Sequence, residues 1–236
     1  MKFFSRVFLA PLARLIFRPK VIGRRNVPKH GGVLLASNHL AFADSIVITL
    51  VARRSVSFMA KAEYFTGRGP KGAAMRGFFR GVGAVPVERG VGEAAQNALQ
   101  AGLDLLASGE AFSIYPEGTR SRDGRLYRGR TGVAYLALTA GVPVVPVALI
   151  GTEQLQPGGR GGIRMARVTV QFGEPLDLSG FGPADSGRAR REATDAVMAS
   201  IQRMSGQEVA GVYNEPPPTT LRERVSRVFG RRRERV

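Results

Sequence analysis

The sequence predicts an α/β fold, a mixed sheet flanked by helices. Three observations lead there. Short apolar, partly β-branched runs alternate with amphipathic stretches of helical period from about residue 20 to residue 205. Some of those runs, such as 33–36 and 142–150, are almost continuously apolar, the pattern of strands covered on both faces. A chain of 236 residues with 44% apolar content suits one moderate domain with appendages. The divisions fall at 1–19 (an N-terminal amphipathic helix), 20–205 (the domain) and 206–236 (a Pro-containing basic C-terminal tail).

In the first segment Phe4, Phe8, Leu12, Leu15 and Ile16 recur at helical spacing, punctuated by Lys2, Arg6, Arg14 and Arg18. Arg6, Pro11 and Arg14 interrupt the run too often for a span of ~20 apolar residues. Aromatics accompanied by cations and no anions read as a helix lying in a membrane interface. The alternative is a terminal helix packed on the domain's own core. No convincing signal-peptide cleavage site follows.

Lys20–Gly23 reads as a short strand, then 24–32 as a loop, Val33–Ala36 as a strand and Asp44–Ala52 as a helix. Val56–Ala60 is a further strand, and 67–83 is rich in glycine and arginine, with Met75, Phe78 and Phe79 offering apolar contacts. Gly83–Arg89 reads as a strand delivering Arg89 to its end. The helix Glu93–Leu106 shows an apolar face of Ala94, Ala98, Leu99, Leu103 and Leu106. Ala111–Tyr115 is a strand, Gly132–Ala140 a helix stopped by Gly141, and Val142–Ile150 a buried strand whose prolines belong at an edge or irregularity. Arg167–Phe172 is a strand and Asp185–Met204 a helix. The tail beyond Gly206 runs through Pro216-Pro217-Pro218 and is either disordered or a second amphipathic surface segment.

The net charge of +17 is concentrated at the ends. Eight basic residues and no acidic one precede Asp44, and the last 18 residues hold seven arginines against two glutamates. This leaves the middle close to neutral and points to an anionic surface, membrane or nucleic acid, as partner. The absence of cysteine excludes disulfides, thiolate metal sites and a cysteine nucleophile. With two histidines in the chain, no metal site is expected.

One of those histidines carries the chemistry. His39 follows the apolar run 32–36 directly, and Asp44, the first acidic residue, comes five positions later at the start of a helical stretch. A histidine where a strand ends, with an aspartate one turn away to hold one ring nitrogen, has its other nitrogen placed as a base. Two further strand ends deliver polar groups: Arg89, and then Glu117-Gly118-Thr119-Arg120. In an open α/β sheet, ligands bind beyond the carboxyl ends of strands. There Arg89 and Arg120 suit a phosphate, Lys61 adds a point charge, and Gly118 admits close approach.

These stretches resemble the four motifs of the glycerophospholipid acyltransferases. They are Asn38–Asp44, Gly83–Arg89, Tyr115–Ser121 and Val142–Val147, in that order and at similar separations. Lys61 also falls where that family often has a lysine. The resemblance covers roughly 20 to 178 and is nearest to the bacterial 1-acyl-sn-glycerol-3-phosphate acyltransferases. It implies that His39 is the general base, oriented by Asp44, on the glycerol hydroxyl of a lysophospholipid acceptor. The donor would be acyl-CoA or acyl carrier protein as co-substrate, with no metal and no other cofactor. It implies that Lys61, Arg89, Glu117, Gly118, Thr119 and Arg120 bind the acceptor. It further implies work at the cytoplasmic face of the cell membrane, as a peripheral or monotopic protein on an anionic surface. Two positions depart from the usual pattern: Ala41 stands where Ser is common, and Glu88 where Asp is usual. Both bear on the acceptor, which alternatively is another lysophospholipid or a lipid-linked molecule.

Other motifs are excluded. Gly67-Arg68-Gly69-Pro70-Lys71-Gly72 matches G-x-G-x-x-G, but Pro70 removes a backbone donor and no clear strand leads into it. No nucleophile elbow or Walker A sequence is present. A basic nucleic-acid-binding protein is the rival class, and it lacks zinc spacing or an RNA-binding aromatic signature; no nucleic acid partner is expected.

Overall fold

The computed structural model describes residues 18–87, 93–155 and 164–215. The N-terminal helix expected over 1–19 lies outside these residues except for its last two, as do Arg89 and the tail beyond 215. The described chain runs β1 (Lys20–Ile22), β2 (Val33–Ser37), α1 (Asp44–Val51), β3 (Val56–Lys61), α2 (Glu63–Thr66) and α3 (Gly69–Gly81). It continues with β4 (Ala84–Val87), α4 (Glu93–Ala107), β5 (Ala111–Ile114), β6 (Leu126–Arg128) and α5 (Gly132–Ala140). Then follow β7 (Val144–Ile150), β8 (Thr169–Phe172), α6 (Gly187–Ser205) and β9 (Val209–Tyr213).

Seven strands form one mixed sheet in the order β1-β8-β7-β2-β5-β3-β4. The strands β2, β3, β4, β5 and β7 run parallel, while β8 opposes β7. Every residue of β2 is buried. Val33 and Leu35 join the core under α1, whereas Leu34 and Ala36 join the core under α4, α5 and α6. A strand sealed on both faces needs apolar residues at consecutive positions, which is why this run does not alternate.

The connections fix where a crevice forms. After β2 the chain leaves through α1 and returns in β3, leaping over β5. After β5 it leaves on the opposite face and returns in β7 on the far side of β2. Neighbouring strands whose connections depart to opposite faces open a cleft beyond their carboxyl ends.

The structure adds the short elements α2 and β6 to the sequence reading and departs from it or sharpens it in three further places. The glycine-rich 67–83 stretch contains a 13-residue helix, α3. Glycine is a poor helix former, and tertiary packing compensates. Gly72 lies so close to the Gly67 backbone that a Cβ would sit 2.2 Å from it, and Phe79 is buried with Phe58, Ala60 and Ala84 against Tyr64 and Phe65. Pro146 sits in an interior strand rather than at an edge. It falls instead at an irregularity, the other place expected for it: Val147 pairs with Phe172 but Val144 bridges Leu176, so the register slips by one residue around Pro146, whose carbonyl accepts from Gly173. Finally, 209–213 of the stretch assigned to the tail is a strand, β9, paired in parallel with β6 in a two-stranded sheet. The folded domain therefore extends past 205.

Candidate active site

His39 stands two residues past the end of β2. Its Nδ1 is 2.8 Å from Asp44 Oδ2, and the same oxygen accepts from the Leu40 amide at 2.6 Å and the Ala41 amide at 2.8 Å. Asp44 is fully buried, and the His39 side chain is 12% exposed. This oxygen thus gathers the ring and two successive amides at the first turn of α1. With Nδ1 turned to Asp44, Nε2 is the ring nitrogen on the opposite side of the imidazole. The ring also lies flat on Tyr115, with centroids 3.8 Å apart and planes 12° apart. The Tyr115 hydroxyl pairs with Ser45 Oγ at 2.7 Å.

Asn38 explains why the strand end is rigid. It is fully buried, donates from Nδ2 to the Leu149 carbonyl at 2.9 Å and accepts the Leu149 amide at 2.8 Å. Its side-chain amide thus continues the β2–β7 ladder after the main chain has turned away. Asn38 Nδ2 also donates to Gln207 Oε1 at 2.7 Å, just before β9.

The loop after β5 faces His39. The Ser121 amide donates to the His39 carbonyl at 2.8 Å. Gly118 adopts φ 78°, the left-handed region, and a Cβ there would meet Arg130 Nε at 2.9 Å. The backbone conformation favours glycine, and a Cβ would in addition push the Arg130 side chain aside. The Asn214 side chain donates to the carbonyls of Thr119 (3.3 Å) and Arg120 (3.1 Å). Asp123 receives Ser121 Oγ, the Tyr127 hydroxyl and the Arg125 guanidinium. Burial acts to raise its pKa, but these donors, Arg125 foremost, hold it down at about 2.

Glu117 is placed differently from the acceptor contact that the resemblance implies. It is fully buried. Its Oε1 accepts the His39 amide at 3.0 Å and its Oε2 accepts the Tyr127 amide at 2.9 Å. Both oxygens are occupied by backbone, so the residue clamps the end of β2 to β6 from behind the crevice. Burial raises its pKa to about 7, against the lowering effect of the two amides, and the charges of Asp44 and Asp123 push the same way as burial.

Of the other expected site residues, Gly118, Thr119 and Arg120 lie on this loop, and Gly118 is exposed. The Arg120 guanidinium has no hydrogen bond or ion pair among the described residues. Lys61 ends β3, one strand beyond β5, and makes a long, exposed pair with Glu63 at 3.6 Å. Val87, the last described residue before Arg89, is in register with Lys61. The run 142–147 largely forms β7, whose residues Val144 to Leu149 are buried as core. Among the described residues no cluster of His, Cys, Asp or Glu is arranged to hold a metal ion.

The acyltransferase family model matches residues 18–150. The chain belongs to the acyltransferase family. A Bacillus subtilis relative named 1-acyl-sn-glycerol-3-phosphate acyltransferase is 26% identical over 190 residues, covering 80% of this chain and 88% of that protein. A chloroplastic protein of the same name from Arabidopsis thaliana is 32% identical over 163 residues, covering 68% of this chain and 44% of its own length. Its Brassica napus counterpart is 32% identical over 149 residues, 62% of this chain and 41% of its own. The chain thus spans under half the length of these plant relatives. The crystal structure of the 1-acyl-sn-glycerophosphate acyltransferase PlsC from Thermotoga maritima superposes with a TM-score of 0.64 at 25% identity, covering 86% of this chain and 83% of that one. This acyltransferase family member shares that fold, and the match at 18–150 spans the His39–Asp44 pair and the Glu117–Arg120 loop.

Tyr127, Gln207 and Asn214 were not singled out by sequence reasoning, and Asn38 and Tyr115 entered it only as the first residues of their motifs, with no role of their own. A polar Asn between an apolar strand and the histidine is itself a signal of a buried, satisfied amide. Gln207 and Asn214 carry no comparable signal.

Proposed function

We propose that this protein transfers a fatty acyl group to the free hydroxyl of 1-acyl-sn-glycerol 3-phosphate, giving phosphatidic acid. The donor is acyl-CoA or acyl carrier protein. The observation that carries this reading is the His39–Asp44 pair, at 2.8 Å, at the mouth of the cleft beside the Glu117–Arg120 loop.

In this reading His39 Nε2 takes the hydroxyl proton as the acceptor oxygen bonds to the thioester carbonyl carbon. The tetrahedral intermediate collapses, the carbon–sulfur bond breaks, and the departing sulfur takes the proton back from His39. Asp44 holds the ring and stabilises the imidazolium between the two steps. The thioester is already activated, so no acyl-enzyme is required. Arg120 faces the acceptor phosphate, with Lys61 contributing charge and Arg89 a second fork. Glu117 acts on the reaction by holding His39 in place.

The partner surface is an anionic membrane, approached from its cytoplasmic side by a peripheral or monotopic protein. Phe42, in the loop between His39 and Asp44, is exposed, and Met75 and Phe78 are exposed on α3. α3 carries Lys71, Arg76 and Arg80 and no acidic residue. Aromatic side chains ringed by cations suit a phospholipid interface. Among the described residues no helix is long and apolar enough to cross a membrane.

The test is thiol release from acyl-CoA with lysophosphatidic acid in anionic vesicles, wild type beside His39→Ala. Phosphatidic acid formed by the wild type and lost in the variant is expected. Undiminished turnover by His39→Ala would remove the base from the mechanism. A wild type silent with lysophosphatidic acid, from both CoA and carrier-protein donors, would remove the acceptor.

A further inference from the structure

The strand that closes the loop after β5 lies outside residues 18–150, the part of the chain matched to the family. At one end of this segment, Gln207 accepts from Asn38 and donates to the Gly124 carbonyl at 2.7 Å. At the other end, Asn214, itself 8% exposed, donates to two successive carbonyls, those of Thr119 and Arg120. Between them β9 pairs with β6, and Tyr213 stacks under the guanidinium groups of Arg128 and Arg130, 5.2 and 5.6 Å from its centroid.

The Asn214 contacts have a geometric consequence. In a trans peptide the C=O and the N–H of the next residue point in opposite directions. With the Thr119 carbonyl on Asn214, the Arg120 N–H is turned to the opposite side. With the Arg120 carbonyl also on Asn214, the Ser121 N–H is turned the same way, and that N–H does meet the His39 carbonyl at 2.8 Å. Two successive amides thus point away from Asn214, and the second of them meets His39. Ser121 is used, whereas no described residue accepts from the Arg120 amide. Successive backbone N–H groups directed to one side form an anion-binding concavity.

We propose that Asn214 is a positioning residue that aims the Arg120 backbone N–H into the crevice as a donor to the phosphate of the acceptor. This inference rests on reading the crevice as an acceptor-phosphate site. Arg120 then contributes two different groups, its guanidinium and its backbone amide, and only the second depends on Asn214.

The experiment uses the full-length chain, 15N-labelled in detergent micelles, titrated with glycerol 3-phosphate, with steady-state kinetics and thermal melts alongside. In the wild type the Arg120 amide resonance moves downfield on titration; in Asn214→Ala it does not. For lysophosphatidic acid, KM rises about ten-fold with kcat within two-fold, the effect of one hydrogen bond to a charged group. The KM for acyl-CoA is unchanged. Asn214→Asp, which sets a carboxylate against two carbonyls, is worse than Asn214→Ala at pH 8 and recovers toward pH 5, where it regains a donor proton. An Arg120 amide unmoved by glycerol 3-phosphate in the wild type overturns the proposal. So does an Asn214→Ala variant in which kcat and both KM values fail together with the melting temperature, because that describes a structural strut. If the wild type does not acylate lysophosphatidic acid and the Arg120 amide still responds, the proposed acceptor is wrong and the backbone donor stands.

Discussion

Replacing Glu117 by Gln separates a positioning carboxylate from one that touches the acceptor. Glu117 presents two oxygens to two backbone donors, the amides of His39 and Tyr127, in a site with no solvent exposure. Glutamine offers one oxygen and an NH2, so one of the two amides must face another donor. An unsatisfied buried N–H costs about 1–3 kcal/mol, so roughly 2 kcal/mol is expected at pH 5. For a chain of this size that lowers the melting temperature by about 4–8 °C. The pH dependence then has a definite sign. The folded-state pKa of Glu117 is about 7, above its ordinary 4.5. The native protein therefore keeps this proton between those values while the unfolded chain gives it up. The wild type loses stability as pH rises through that window, by roughly 3 kcal/mol from a shift of this size, and is level above it. The variant does not titrate there. The two melting curves should thus be well separated at pH 5 and close at pH 8, as measured by calorimetry across that range. In the activity assay kcat falls about 10–100-fold, since His39 loses its main-chain anchor, while the acceptor KM stays within about two-fold. A variant with wild-type melting and kcat and a greatly raised acceptor KM would refute the reasoning and return Glu117 to the binding site. A stability gap that widens with rising pH would refute the buried, proton-holding carboxyl.

Other substitutions test neighbouring parts. Asp44→Asn keeps an oxygen for the Leu40 and Ala41 amides but cannot stabilise an imidazolium, so kcat should fall about a hundredfold or more with little change in melting temperature; rates and melts on one preparation decide it. Gly118→Ala places a Cβ against Arg130 in the left-handed region, and about 1–2 kcal/mol of conformational strain plus displacement of that side chain should appear in urea unfolding. Phe78→Ser should weaken sedimentation with anionic vesicles while leaving the melting temperature within a few degrees, because Phe78 is 37% exposed; unchanged binding would take α3 out of the membrane contact.

Much of the sheet is legible because its strands announce themselves locally. Val33–Ser37 follows two glycines and Val144–Ile150 lies between Pro143 and Gly151; both are largely apolar runs of strand length, and they are strands. His39 and Asp44 are likewise legible, since five residues bridge a strand end and the first helical turn. Three parts are not legible, each for a physical reason. α3 contains residues that disfavour a helix, and only its packing against Gly67, Tyr64 and Phe65 compensates. β9 has a single partner, the three-residue β6, and its side chains are mostly exposed, so no apolar alternation marks it. The position of Glu117 depends on Tyr127 and His39 arriving from two other elements. An acidic residue in a conspicuous motif reads the same whether it meets a substrate or a backbone amide.

The burial of β2 has a consequence for how this protein fails on heating. His39, the proposed base, is attached to the innermost strand and riveted through Asn38 to β7, so nothing short of cooperative unfolding displaces it. The Glu117–Arg120 loop, proposed above to hold the acceptor, leans instead on a two-stranded ribbon, the kind of element that frays early. Warming should therefore produce two successive losses. Saturation becomes harder to reach while the turnover number still climbs, and only later does turnover collapse with the sheet. The protein forgets how to hold its substrate before it forgets the chemistry.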